Sequence, residues 1–357
     1  MKPSLLLTLD YELYGDGSGN VFNHIVDPTN VIMDVAERSG ARITVFFEVV
    51  EYWRLKQEWE RGNHMGYQYN PVQAMENQVL DLIARGHDVQ LHIHPQWVDA
   101  KWVDTKWSVD LNNWRLGTFQ SPTMTLKQLI ANGKYTLEKI IKPSFPDYEC
   151  VAMRAGGFNV QPSQEIVTIM RELSIKFDSS IVPGAKEDGA LSVYDYSGIP
   201  IDVGFWYVAD RLERASQTNT DIVELLHVSF PIIRFLKFLS LSRIRSILQN
   251  RKSAKSSFLA KTSNEGKMCS FLKKLFFFFK TEYQTWDFCL FPNWMHSYFI
   301  RKVLKQSKRN YFVVIGHPKS LVSIKSMECL MKKTCAKFEY PTISNLSNSF
   351  FGEKYRR

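Results

Sequence analysis

Ser4-Leu5-Leu6-Leu7-Thr8-Leu9-Asp10-Tyr11-Glu12 decides how the rest of the 357-residue chain is read. The run Leu5–Leu7 with Leu9 is too short for a signal-peptide core, and it ends in acids rather than in a small-residue cleavage site. It therefore reads as a buried strand that ends in carboxylates. Further apolar runs of strand length follow at residues 42–48, 88–94, 150–154, 199–203 and 311–316. Amphipathic stretches at 30–39 and 77–85 separate the first three runs, and each is followed by a glycine, Gly40 and Gly86. Glycine just past the last helical residue is a common stop. Strand, helix, glycine, strand, repeated, predicts an α/β fold with a parallel sheet or barrel. In such folds, chemistry gathers at the carboxyl ends of the strands.

The polar residues fall where that architecture would use them. Asp10 and Glu12 are two apart, so an extended backbone turns both to one face. His92 and His94 repeat the spacing at the end of the third run, and Pro95 stops the ladder beyond them. Two imidazoles with a carboxylate and an open position suit Zn²⁺ or a similar divalent metal. Arg154 ends the fourth run, and His317 follows the buried run Phe312–Gly316.

Composition excludes other classes. The apolar and charged fractions, 45% and 23%, are those of a globular protein. Five cysteines without CxxC spacing predict a reducing compartment and no disulfide framework. No apolar stretch reaches the roughly 18–20 residues of a spanning helix. The net charge of +9 belongs to one segment: residues 229–280 hold twelve Lys/Arg against the single acid Glu265. The rest of the chain is thus slightly acidic, which argues against nucleic acid as a partner. The segment reads as a basic amphipathic insertion within one catalytic domain over residues 1–340, with 341–357 as a tail. Its Phe and Leu alternate with cations, as in Phe235-Leu-Lys-Phe-Leu, a pattern suited to an anionic membrane surface.

Motif by motif, the chain resembles the polysaccharide deacetylase family of the NodB-homology fold. Thr8-Leu-Asp10-Tyr-Glu12 resembles that family's Thr-Phe-Asp-Asp, and Ile43-Thr-Val-Phe-Phe-Glu48 its second strand. Gly86-His-Asp-Val leading to His92 resembles the approach to its metal histidines. Arg154-Ala-Gly-Gly-Phe158, Phe177-Asp-Ser-Ser180 and Val314-Ile-Gly-His-Pro318 resemble its later motifs. The resemblance implies a deformed (β/α) barrel of about seven strands. It implies Asp10 as the catalytic base, Arg154 as the residue holding it, and His317 as the acid that protonates the leaving group. His92 and His94 would be metal ligands, with Glu12 or Asp10 completing the set. There are two departures: Tyr11 stands where the family has its metal-binding Asp, and the histidines are spaced HxH rather than HxxxH.

The expected reaction is metal-dependent hydrolysis of an acetyl or formyl amide on an amino sugar, free, lipid-linked or in a polysaccharide. Trp97, Trp102, Trp107 and Trp114 follow the histidines and offer flat faces to a sugar ring. Trp97 and Trp102, with Tyr11 and Asp178, are the expected substrate contacts. The expected location is the cytoplasm, with residues 229–280 on the inner leaflet. Two other readings stay open. One is a sugar- or lipid-binding module that kept the fold without the metal. The other is an amidohydrolase of small nitrogen heterocycles.

Overall fold

The computed structural model describes residues 2–233, 281–306 and 309–352. Seven parallel strands form the body of the molecule. In spatial order they are Tyr311–Gly316, Ser4–Tyr11, Ile43–Glu48, Asp88–Ile93, Ala152–Ala155, Phe177–Asp178 and Val223–Leu225. The chain beyond Leu225 closes the ring: His227 bridges Val313 in parallel, and the Val228 N–H donates to the Val313 carbonyl at 2.8 Å. The result is a seven-stranded parallel barrel. An eighth strand, Phe205–Tyr207, pairs antiparallel with Val223–Leu225.

Alternation along the strands sorts the side chains. Leu5, Leu7, Leu9 and Tyr11 pack outward into the main core with the helices, while Leu6 joins Phe46, Phe177, Leu225 and Val313 in a separate interior cluster. The helices Asp27–Glu37 and Pro71–Ala84 occupy the places expected for helices. Gly40 and Gly86 follow them with φ of +70° and +80°, the left-handed stop that favours glycine. Register then aligns the strand ends: Glu48 lies opposite His92, and His92 opposite Arg154.

The structure departs from the sequence reading in three places. Residues 199–203 form no strand, because Gly198 and Pro200 turn the chain, the Ile199 N–H bonding back to the Tyr196 carbonyl. Extension resumes at Phe205. The strands Phe177–Asp178 and Val223–Leu225 are two and three residues long, too short to stand out as apolar runs. Residues 341–357, read as a tail, contain the helix Ile343–Phe351, whose Ile343 and Leu346 plug the amino end of the barrel. Thr44 and Asp88 accept from the Ile343 and Ser344 N–H groups, satisfying donors at that helix's N-terminus.

Of the basic insertion, the described part is its first strand, Ser229–Ile233, which pairs antiparallel with Thr281–Thr285 just beyond its far end, Ile233 opposite Thr281. Residues 234–280, on which the amphipathic reading rests, lie outside the described residues. Among the described residues, no helix is long and apolar enough to cross a membrane.

Candidate metal centre

At the carboxyl ends of the strands, inward-facing polar residues replace apolar ones. Arg154 is fully buried. Its Nη1 donates to Asp10 Oδ1 at 2.5 Å, Nη2 to Thr8 Oγ1 at 2.9 Å and Ser179 Oγ at 3.1 Å, and Nε to the Ser179 carbonyl at 2.8 Å. Burial works against charge on Asp10, but Arg154, His92 and His317 outweigh it and hold the carboxyl below its ordinary value. Its second oxygen, Oδ2, lies 3.7 Å from both His92 Nε2 and His317 Nε2.

Glu12 faces the same space. Its Oε2 is 3.1 Å from His92 Nε2 and 2.5 Å from His94 Nε2, and its Oε1 accepts from Lys319 Nζ at 2.7 Å. Burial is again opposed and overcome, by Lys319 and the two histidines, so the Glu12 carboxyl sits well below its usual range. The His92 and His94 rings meet edge to face, 4.9 Å apart. His94 also packs on Gly156: a Cβ there would stand 2.4 Å from the ring, so the Ala-Gly-Gly turn after Arg154 needs glycine at this point.

The hydrogen bonds test whether this set fits a cation. His92 Nδ1 is 2.9 Å from the Arg154 carbonyl, which can only accept. That bond places the proton on Nδ1, so a neutral ring turns the Nε2 lone pair toward Glu12. Gln96 Oε1 is buried without a partner while Gln96 Nε2 donates to His94 Nδ1. Turning that amide over would let Oε1 accept from His94 Nδ1–H and free the His94 Nε2 lone pair as well. With the amide so turned, both Nε2 lone pairs would converge on the Glu12 carboxylate, an arrangement that a cation between them would satisfy. The donor set of two imidazoles and a carboxylate suits a divalent metal. Asp10, Glu12 and His317, and Glu12, Glu48, His92 and His94, form two clusters able to hold one, with the donor atoms of each within 4.8 Å of one another.

His317 lies opposite. Its Nδ1 is 2.9 Å from Asp287 Oδ2, and Asp287 Oδ1 accepts from the Cys289 and Leu290 N–H groups. Burial disfavours the imidazolium, but the bond to Asp287 wins and raises the His317 pKa.

The structure thus brings together Asp10, Glu12, His92, His94, Arg154 and His317. It does not bring the four expected substrate contacts with them. Tyr11 points outward, its ring stacked on Phe47 and its hydroxyl donating to Gln78 Oε1 at 2.8 Å. Trp97 is 1% exposed and packs against Trp107, and Trp102 packs on the other side of Trp107. Trp114 is the tryptophan against the centre, its ring 6.0 Å from His94 and its Nε1 without a partner. Asp178 faces out of the barrel and accepts from the Ser180 N–H and hydroxyl. Three residues join the centre unannounced: Glu48, Lys319 and Asp287. Glu48 closes an apolar run as Asp10 does, and Lys319 follows His317 at the same two-residue spacing; both signals were available. Asp287 has no local signal, and comes into place through its bridge to Ile315.

No protein-family model and no curated protein matches the chain. Solved structures similar to it include two described as a putative and a probable polysaccharide deacetylase. The first is from Mycobacterium smegmatis (11% identity, 98% of this chain and 90% of that one, TM-score 0.47). The second is from Pseudomonas aeruginosa (9%, 98% and 92%, 0.46). A GH57 branching enzyme of Thermococcus kodakaraensis is similar to the same degree (9%, 99% and 72%, 0.48).

Asp178 also makes a measurable contribution of its own. Burial pushes the Asp178 carboxyl up to about 6 against the hydrogen bonds with Glu224 and Ser180 that lower it, while burial and the neighbouring Asp178 hold the Glu224 carboxyl well above its usual range. The folded state therefore holds a proton on Asp178 that the unfolded chain releases near pH 4, so this residue's contribution to stability is full below that pH and is lost as pH rises through about 6. Asp178→Asn removes the ionisation while keeping an oxygen for Ser180. Between pH 4.5 and 7 its urea midpoint should fall less than that of the unaltered protein, with a gain on the order of 1–2 kcal/mol at pH 7. Parallel pH profiles would contradict the assignment.

Proposed function

We propose that the chain is a metal-dependent hydrolase that removes an N-acyl group, acetyl or formyl, from an amino sugar of a surface polysaccharide or its precursor. One observation carries the reading. Two imidazole Nε2 atoms converge on a buried carboxylate, while a separate carboxylate, held by an arginine, stands 3.7 Å from a third imidazole. His92, His94 and Glu12 would hold the metal, Zn²⁺ or a similar divalent ion, which would supply Lewis-acid polarisation of an acyl carbonyl and acidify water.

The chain's own groups divide the proton work. Arg154 fixes Asp10 through Oδ1 and leaves Oδ2 free to take a proton from water entering beside His92. His317, its Nδ1 fixed by Asp287, presents Nε2 across the same gap, where it can deliver a proton to the departing amine. Trp114 supplies an apolar edge and an unsatisfied N–H at the mouth, and Trp102 is half-buried in the same loop. Aromatic faces with polar handles suit a sugar better than a small heterocycle. A second reading, a binding module without metal, draws on Lys319, whose ammonium already neutralises Glu12.

The cation-rich insertion supports a place on an anionic membrane surface, from a cytoplasmic side, within reach of a lipid-linked sugar. Its described surroundings agree in character. Phe230 of the strand Ser229–Ile233 packs on Phe299 of the helix Asn293–Val303. That helix and its end expose Trp294 (45%) and Leu304 (48%) alongside Arg301, Lys302 and Lys305.

Two outcomes follow. Asp10→Asn should bind metal as before yet release amine from N-acetyl- and N-formylhexosamines, free or carrier-linked, about 10²–10⁴-fold more slowly. A rate within a few-fold of the unaltered enzyme would contradict the assignment of Asp10. The full chain should float with anionic vesicles, each cation near the surface adding roughly 1 kcal/mol. A version with Ile233 joined to Thr281 by an Asn-Gly turn should not float. Equal flotation of the two, or none by either, would refute the membrane role.

A further inference from the structure

Glu48 closes the strand Ile43–Glu48 and lies in register beside His92, so its side chain enters the barrel at the level of the histidines. One of its oxygens is committed. Oε1 accepts from the Val50 N–H at 3.0 Å and the Glu51 N–H at 3.4 Å, capping the helix Val49–Glu60. The other, Oε2, is buried and has no hydrogen-bond partner. An unsatisfied buried oxygen costs about 1–3 kcal/mol, more if it is charged. Lys319 does not relieve it, because its Nζ is bound to Glu12 Oε1 and the Leu13 carbonyl. Yet a donor atom of Glu48 lies within 4.8 Å of donor atoms of Glu12, His92 and His94, all mutually so placed. Ligands of one ion, each about 2.0–2.2 Å from it, need come only slightly closer than that.

We propose that Glu48 is a fourth protein ligand, through Oε2, of the metal held by Glu12, His92 and His94. This inference rests on the metal-dependent reading above and extends it. The capping bonds hold the carboxyl group rigidly, so Oε2 is presented without an entropic cost at binding. Glu48 and Glu12 together replace the carboxylate that a tyrosine displaces at position 11. The ligand count has a chemical consequence. Four protein donors fill a tetrahedron and leave no place for water, whereas a five- or six-coordinate ion keeps one open. With two imidazoles and two carboxylates as donors, an open position for water would require a five- or six-coordinate ion, a number open to Zn²⁺ as well as to Mn²⁺, Fe²⁺ or Co²⁺.

Cobalt reports this directly, because four-coordinate Co²⁺ absorbs visible light far more strongly than five- or six-coordinate Co²⁺. The full-length protein, stripped with chelator and titrated with Co²⁺, should bind one equivalent with a weak visible band. Glu48→Gln keeps an oxygen for the capping bonds and removes the charge; it should bind Co²⁺ at least about tenfold more weakly and with an altered band. Glu48→Asp, also a good cap, withdraws the oxygen by one methylene and should do the same, so it decides the matter if the glutamine form does not fold. Glu51→Gln, next along and outside the cluster, should bind as the unaltered protein does. Unchanged affinity and spectrum in a folded Glu48 variant would overturn Glu48 as a ligand and leave the metal centre standing. Failure of the unaltered protein to bind Co²⁺ or any other divalent ion would overturn the metal-dependent reading itself.

Discussion

A guanidinium held in the barrel's interior is the constraint on which the site depends. Stripping a charge of its water is expensive, and a buried ion pair offsets that cost only when the remaining donors are also satisfied. Arg154 meets the condition by reaching Asp10 and Thr8 on one strand and Ser179 beyond another, while its carbonyl receives His92 Nδ1. Phe46 lies under its face, 4.0 Å away, at the boundary between the apolar plug and the polar rim. One residue thereby orients a carboxylate, fixes the tautomer of a histidine and ties three strands together. Loss of either partner would strand the other charge in a dry interior, which typically costs 3–5 kcal/mol.

Around that pair the charges are segregated. Asp10 is balanced by Arg154, and Glu12 by Lys319, so each carboxylate stays ionised without the other's proton. Asp287 balances His317. The two histidines His92 and His94 have no such dedicated counter-group; both Nε2 atoms turn to Glu12. The centre is therefore divided into a region already neutral, where proton transfer can be controlled, and a region of donors awaiting a cation.

The legible parts of this layout are those with local signals. Five apolar runs that end in polar residues gave five barrel strands, and the two-residue spacing of Asp10 with Glu12 and of His92 with His94 placed all four on the inner face. The short strands at Phe177 and Val223 left no apolar run to find, and the alternating Ile199, Ile201 and Val203 made a turn look like a strand despite Pro200. The same alternation that brought Asp10 inward sends Tyr11 and Asp178 outward; a strict period of two, carried from one residue to the next, already excludes both from the interior. Trp97 and Trp102 lie just after His94 in sequence, a position that does not by itself turn their rings toward the centre. Their loop folds back on Trp107, and only Trp114, held beside His94 at the turn near Gly156, reaches the centre. Asp287 depends on a contact across the sheet that no neighbouring residue announces.

The central claim is that this barrel end holds a divalent metal on His92, His94 and Glu12. A crystal of the protein, measured on both sides of the absorption edge of the metal it carries, tests that claim directly. The account predicts one anomalous peak about 2.0–2.3 Å from His92 Nε2, His94 Nε2 and an oxygen of Glu12. Metal-bearing crystals whose peak lies elsewhere, or full-length protein supplied with metal that shows none, would contradict it.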